Sequence, residues 1–172
     1  HYFPSLLPGG FIGVDIFFVI SGYLISNIIL NSMRKNRFSL SEFYSRRIRR
    51  IFPALILVLT ACAVFGWYAL APGDYENLGI HIAGGSGFVS NLLLWSELGY
   101  FDESSKLKPL LHLWSLGVEE QFYIFWPMLL LIATKSRWNP LITIATICLA
   151  SFGLNLLTLN TDASGAFYNP LT

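Results

Sequence analysis

The chain has 172 residues, of which 54% are apolar, 16% aromatic and only 12% charged. Average soluble domains carry about a quarter charged residues, so this composition excludes an ordinary soluble domain and argues for a membrane protein. The net charge of +1 hides a strong local asymmetry, and no nucleic-acid partner is expected from it.

A bilayer core takes roughly 20 apolar residues of helix, and the first such run covers residues 10–30. It holds Asp15 in "GGFIGVDIFFVISGYLIS". Mostly apolar sequence precedes that carboxylate and a continuous apolar run follows, which puts it in the first turns of the span, where it needs a partner. Gly22 lies two turns on along the same face, where a missing side chain lets another helix approach closely. The alternative is a helix-start Asp that satisfies free backbone amides. His1 stands fourteen positions upstream of Asp15. A neutral imidazole can act as general base, with a carboxylate to hold its tautomer, although a lone His is more often an ordinary polar residue. The chain opens on His rather than Met, with no signal-like segment ahead of the first span, and is expected to be a fragment.

Residues 31–50 form a basic stretch. Arg34, Lys35, Arg37, Arg46, Arg47, Arg49 and Arg50 hold seven of the eleven basic residues, so this loop is expected on the cytoplasmic side by the positive-inside rule. In "FYSRRIRRIFPAL" Arg47 and Arg50 share a helix face at i, i+3, as do Arg46 and Arg49. Two forked guanidiniums on one face suit a phosphate or pyrophosphate; the alternative is a topology signal that touches anionic lipid headgroups. The second run covers 51–71 and returns the chain outward to "PGDYEN". The next, 79–95, is weaker: the glycines of "HIAGGSG" interrupt it, and it reads as a re-entrant or tightly packed segment rather than a simple span. His81 lies here with no acidic neighbour at helical spacing. Lys135 and Arg137 favour an inside position for the loop 135–139, and the mixed-charge stretch 97–112 suits the outside. Both hold only if 79–95 does not fully cross, so the parity is open at this point.

The run 113–133 opens with "HLWSLGVEEQFYIFWP", two adjacent acids in a membrane helix. A charge near the centre of a spanning helix costs about 2.5–3.5 kcal/mol, so such acids are functional candidates unless they sit solvated at the headgroup level. At 3.6 residues per turn His112, Ser115, Glu119, Tyr123 and Trp126 share one face, while Glu120 points about 100° away. Glu119 is therefore expected to face the bundle interior and Glu120 a wetter or interhelical environment. A last run covers 141–159. Cys62 and Cys148 fall inside apolar runs with neither zinc spacing nor a disulfide framework, and no metal site is expected. "GGFIG" lacks the strand and the Lys of a phosphate-binding loop. The fold expected is all-α, a partial polytopic transmembrane bundle of about four or five membrane segments.

The stretches "PGGFIGVDIFFVISGYLIS", "FYSRRIRRIFPAL", "NLLLWSELGYFD" and "PLLHLWSLGVEEQFYIFWP", in this order over most of the first 130 residues, together resemble the acyltransferase 3 family of integral-membrane acyltransferases. The resemblance implies a helical enzyme that takes an acyl group, often acetyl, from cytoplasmic acyl-CoA and places it on a hydroxyl of an extracytoplasmic or surface glycan, as in modification of lipopolysaccharide or peptidoglycan. His1 matches the family's essential His, Asp15 the Asp that follows it, Arg47 and Arg50 its Arg-x-x-Arg pair, and Glu119 the acid of its Trp-Ser-Leu-x-Val-Glu motif. It further implies His1, Asp15 and Glu119 as catalytic, Arg47 and Arg50 as donor-binding, and Ser115 and Tyr123 along a polar substrate track. Acyl-CoA would be a substrate rather than a resident cofactor, and the location the bacterial inner membrane among lipid. The family's earlier span and Arg before His1, and its later spans, are not in this sequence. Residues 1–172 are thus expected to be part of one membrane domain truncated at both ends. The rival reading is a transporter or flippase of an acyl or glycan intermediate, which inverted repeats would favour; none is visible. A membrane scaffold or sensor, with the arginines as lipid anchors, is the third.

Overall fold

A computed structural model describes residues 12–97, 110–136 and 138–159. Six helices follow in chain order: α1 (Ile12–Arg34), α2 (Leu40–Ala69), α3 (Pro72–Ser86), α4 (Ser90–Glu97), α5 (Leu113–Lys135) and α6 (Pro140–Leu159). No strand occurs among the described residues. α1, α2, α5 and α6 are long and apolar enough to cross a bilayer. The protein is an all-α, multi-pass membrane protein. Two units divide at residue 43, and each is described by itself.

In the first unit α1 ends on a cap that the sequence supports. Asn36 adopts a left-handed φ of 52°, a conformation that Asn tolerates better than most residues. The Asn36 and Arg37 amides then donate to the carbonyls of Met33 and Ser32, each at 2.9 Å, closing the last turn. α2 starts at "SLSE", where Ser39 Oγ accepts from the Glu42 amide at 3.4 Å, the spacing of a capping box. The connection between helices is thus only residues 35–39, shorter than the 31–50 loop the charges suggest. The four arginines of "SRRIRR" stand within α2, whose 30 residues exceed what one bilayer crossing needs.

In the second unit α3 and α5 both run antiparallel to α2. Trp67 meets Tyr75 edge-on at 5.6 Å and Phe52 meets Phe88 at 5.8 Å, so α3 descends alongside α2. Tyr44 bonds Ile124 while Leu59 and Leu113 both close on Gly85, so α5 descends as well. α3 has only 15 residues and α4 only 8. At 1.5 Å per residue neither spans a core of about 30 Å. They form a hairpin whose tip is residues 87–89. Its second arm turns back far enough for Glu97 to come within 3.5 Å of His81 on the first. The second arm of the hairpin therefore runs back alongside the first, as in a re-entrant segment. If 35–39 are inside, as the positive-inside rule expects, a hairpin that does not cross would put residues 70–72 outside and the loop after α5 inside with Lys135.

Lipid tails are as apolar as leucine, so helices in a bilayer associate by close packing rather than by escape from water. Glycines supply that closeness. A Cβ at Gly85 would stand 2.7 Å from Leu113 Cδ1, and one at Gly117 would stand 3.2 Å from the Phe88 carbonyl oxygen and 3.1 Å from Asn91 Oδ1. The core between them is Leu55, Leu59, Leu78 and Leu110, with Phe88 and Leu113 packed against it. Apolar residues such as Phe65 and Leu149 face outward from the described residues.

Two outcomes test this architecture. With Cys62 and Cys148 replaced, a cysteine at Asp74 is expected to react with an impermeant thiol reagent on intact cells. Cysteines at Asn36 and Ser136 should react only after permeabilisation; labelling of Ser136→Cys from outside would mean the hairpin crosses. Gly117→Val is expected to lower the thermal stability of the detergent-solubilised protein, by an overpacking cost of about 1–3 kcal/mol, whereas Gly79→Val, whose Cβ meets nothing within 4 Å, should not.

Candidate functional site

The site is built where the arginine-rich turn of α2 faces the acidic turn of α5. Arg47 Nη2 donates to Glu120 Oε1 at 2.8 Å and lies 3.5 Å from Glu119 Oε1. The Tyr123 hydroxyl donates to Glu119 Oε1 at 2.6 Å, and the Arg47 guanidinium carbon stands 3.3 Å from the centre of the Tyr123 ring. One cation thus faces two carboxylates and a ring face, all within two turns of α5. The side chains of Arg47, Glu119 and Glu120 are 14%, 16% and 10% exposed. In so dry a place a guanidinium persists only when paired. Both carboxylates face the same Nη2, while the flat guanidinium lies over the Tyr123 ring, a stacking a Lys ammonium would not reproduce.

This geometry decides between the two environments expected for Glu120: it is interhelical and buried, not wet. Adjacent residues on a helix diverge by about 100°, and only one of them was expected to face inward. Arg47 sits in the angle between the two, so both acids point to it, and Glu120 is the closer partner and the more buried. Helical phase places side chains relative to the helix itself; the opposing cation decides which count as interior.

Pro127 removes an intrahelical hydrogen bond from α5. The carbonyl it leaves without that bond is Tyr123's; one residue on, the Tyr44 hydroxyl reaches across from α2 to donate to the Ile124 carbonyl at 2.8 Å. Pro53 interrupts α2 in the same manner, just beyond the arginines.

A second polar cluster fixes the hairpin tip. Gln121 Nε2 donates to the Phe88 carbonyl at 2.8 Å and to Asn91 Oδ1 at 2.9 Å, and Asn91 Nδ2 faces Gln121 Oε1 at 3.4 Å. Asn91 has no exposure at all. Phe88 is held at a φ of 57°, a left-handed conformation that costs a bulky residue roughly 1–3 kcal/mol. Its carbonyl bond and its edge contact with Phe52 hold it there.

The other sequence candidates are placed as follows. Ser115 returns its hydroxyl to the His112 carbonyl at 3.1 Å, along its own helix. Arg50 is exposed on α2 while Arg47 turns inward, so the two do not present one clamp. Asp15 stands exposed in the first turn of α1, where a carboxylate complements the helix N-terminus. His1 lies outside the described residues. Missed from sequence were Glu120, Tyr44, the Asn91–Gln121 amide pair and the pairing of buried His81 with Glu97. A lone Asn after a glycine turn in an apolar run was the signal for the first amide; Glu97 comes from another helix, beyond any helical spacing.

A buried ion-pair cluster between two spanning helices, with arginines continuing onto an exposed face, defines a membrane protein whose motifs converge on one site. The acyltransferase domain family matches residues 1–171, and the chain belongs to the acyltransferase 3 family. It is 39% identical over 160 residues to the peptidoglycan O-acetyltransferase OatA of Listeria monocytogenes, covering 92% of this chain and 25% of that protein. It is 43% identical over 122 residues to an uncharacterized protein of Haemophilus influenzae, covering 71% of this chain and 50% of that one. The chain therefore spans between a quarter and a half of these curated relatives. No solved structure matches.

Arg47→Ala would leave two carboxylates facing each other in a dry site. Breaking such a buried pair costs about 3–5 kcal/mol, so this variant is expected to lose most folded protein in membranes. Arg50→Ala should accumulate normally. Glu120→Gln should cost at least as much thermal stability as Glu119→Gln; a loss confined to Glu119→Gln would restore the one-face reading of α5.

Proposed function

We propose that the intact protein is an O-acyltransferase that moves a short acyl group, acetyl first among them, from cytoplasmic acyl-CoA to a hydroxyl of a cell-surface glycan across the bacterial inner membrane. The observation that carries this is convergence. The arginine motif of α2 and the acidic motif of α5 are far apart in sequence and meet through the 2.8 Å contact of Arg47 with Glu120, 73 residues on. The Listeria relative, named for peptidoglycan, makes that glycan the first acceptor to try.

In this reading His1 takes the acceptor hydroxyl proton while Asp15 holds its tautomer and stabilises the imidazolium. Arg50, exposed on the cytoplasmic stretch of α2 with Arg46 and Arg49, receives the donor's phosphates. Arg47 contributes differently from Arg50. It anchors Glu119 and Glu120, and through them orients the polar track of Glu119 and Tyr123. Ser115 lies further along the same track.

The test is incubation of membranes bearing the intact protein with acetyl-CoA labelled in the acetyl group, followed by isolation of the glycan. Label on glycan hydroxyls is expected, and His1→Ala should abolish it at unchanged membrane abundance. Arg50→Ala should raise the donor concentration needed for half-maximal transfer about tenfold, with Arg50→Lys recovering only part. Flux of unmodified substrate without label transfer would instead support a transporter.

A further inference from the structure

Around the axis of α5 the polar side chains fall into two groups. At 3.6 residues per turn Glu119 and Glu120 stand about 100° apart, and Tyr123, about 40° on from Glu119, falls in the angle between them. That is the direction of Arg47, which contacts all three. Gln121 and Gly117 fall about 200° and 160° from Glu119, and that is the direction of the hairpin tip. Gln121 Nε2 donates there to the Phe88 carbonyl at 2.8 Å and to Asn91 Oδ1 at 2.9 Å, and a Cβ on Gly117 would crowd the same two oxygens. Polar contacts thus grip α5 on two sides, about 130° apart. Apolar side chains do little to set the rotation of a helix in lipid, because the tails they would meet instead are equally apolar. One polar grip lets the helix swivel about that contact; two at different angles fix it.

We propose that Gln121 and Asn91 are positioning residues for acyl transfer, which set the rotation of α5 so that Glu119 and Glu120 both face Arg47. The inference rests on the acyl-CoA reading above. Gln121 acts through the helix that carries the acids, and Asn91 acts through Gln121. Satisfying the hairpin backbone would take only one donor, for the Phe88 carbonyl. The second N–H of the same Nε2 goes to Asn91, and Asn91 Nδ2 faces Gln121 Oε1 at 3.4 Å, so the carboxamide of Gln121 is itself held in place. Asn91 has no exposure at all, which makes it a fixed point rather than a surface contact. Without this grip the acidic turn is held by Arg47 alone, and a rotation of α5 by one residue step of about 100° would carry Glu119 to the place of Glu120.

The experiment measures steady-state acetyl transfer from acetyl-CoA by the intact protein in membranes at matched abundance. Gln121→Met should lower kcat at least about tenfold, or roughly 1.4 kcal/mol, with the KM for acetyl-CoA changed by less than about twofold. Asn91→Leu should act in the same direction. Exchanging the two, Asn91→Gln with Gln121→Asn, restores a pair of carboxamides and should recover part of kcat. The deciding measurement is coupling to the acid. In a Glu119→Gln background Gln121→Met should cost less than about threefold further, because the carboxylate it positions is already gone, whereas independent effects multiply. Gly85→Val, which crowds Leu113 from the same hairpin, is the comparison for mere structural damage, and its loss should multiply with that of Glu119→Gln. If Gln121→Met does not accumulate, Asn91→Leu is read in the same two backgrounds. Unchanged kcat in the accumulated variants, or losses that multiply with that of Glu119→Gln, would overturn the positioning role and leave the acyltransferase reading standing. No transfer by the unaltered protein would overturn both.

Discussion

The arrangement of the second unit turns on one constraint: a guanidinium taken into a low-dielectric interior must be met there by carboxylate. Arg47 comes from α2 and is largely buried against α5, so α5 presents acid at its level. Two acids meet it, at 2.8 and 3.5 Å, and the Tyr123 ring covers its face. That pairing fixes both the separation and the register of α2 against α5. The Tyr44 to Ile124 hydrogen bond and the hairpin contacts then fall at levels this register allows. Ionic pairs of this sort are weak sources of net stability, because desolvation offsets the attraction. Their better-attested use is to specify one arrangement among many that apolar helices could otherwise adopt.

The hairpin solves a different problem of the same medium. Non-helical backbone at membrane depth is tolerated only where protein satisfies its polar groups. Residues 87–89 meet that demand in two ways. The Phe88 and Val89 amides close back on the Gly85 and Gly84 carbonyls, and Gln121 supplies the donor for the Phe88 carbonyl. Gly117 lets α5 come close enough for this, since a side chain there would press on the same carbonyl. The amide pair of Gln121 and Asn91 thus does for the backbone of the tip what Glu120 does for Arg47, one residue away on the same helix.

Much of this was legible in the sequence, and the boundary has a physical cause. Length and apolarity identify spans almost independently of their neighbours, so 10–30, 51–71, 113–133 and 141–159 correspond closely to α1, the apolar part of α2, α5 and α6. The glycines of "HIAGGSG" marked the re-entrant segment because a poor helix former in lipid must have a packing reason. What the sequence could not supply was the identity of the opposing surface. The phase of α5 alone left Glu120 between a wetter and an interhelical environment, and His81 lacked a partner because Glu97 belongs to another helix. The basic stretch was read as loop because charge was taken as a sign of water. Four of its arginines instead extend α2, one of them inward.

Sidedness gives the site its chemical logic. The hairpin tip reaches the level of Phe52, one to two turns of α2 from Arg47. The ion-pair cluster and the exposed arginines lie beyond that tip, toward the N-terminal end of α2, the end the positive-inside rule expects at the cytoplasm. On the proposed reading a hydrophilic donor approaches through the exposed arginine face of α2, and the acceptor approaches from the opposite side of the bilayer. On the proposed reading, transfer requires these two approaches to connect within the bundle. The strained backbone of Phe88 is held in part by Gln121 of α5, the helix that also carries Glu119, Glu120 and Tyr123. A shift of α5 would therefore act on the donor side and on the hairpin tip together, which ties the acidic motif to the hairpin through a single helix.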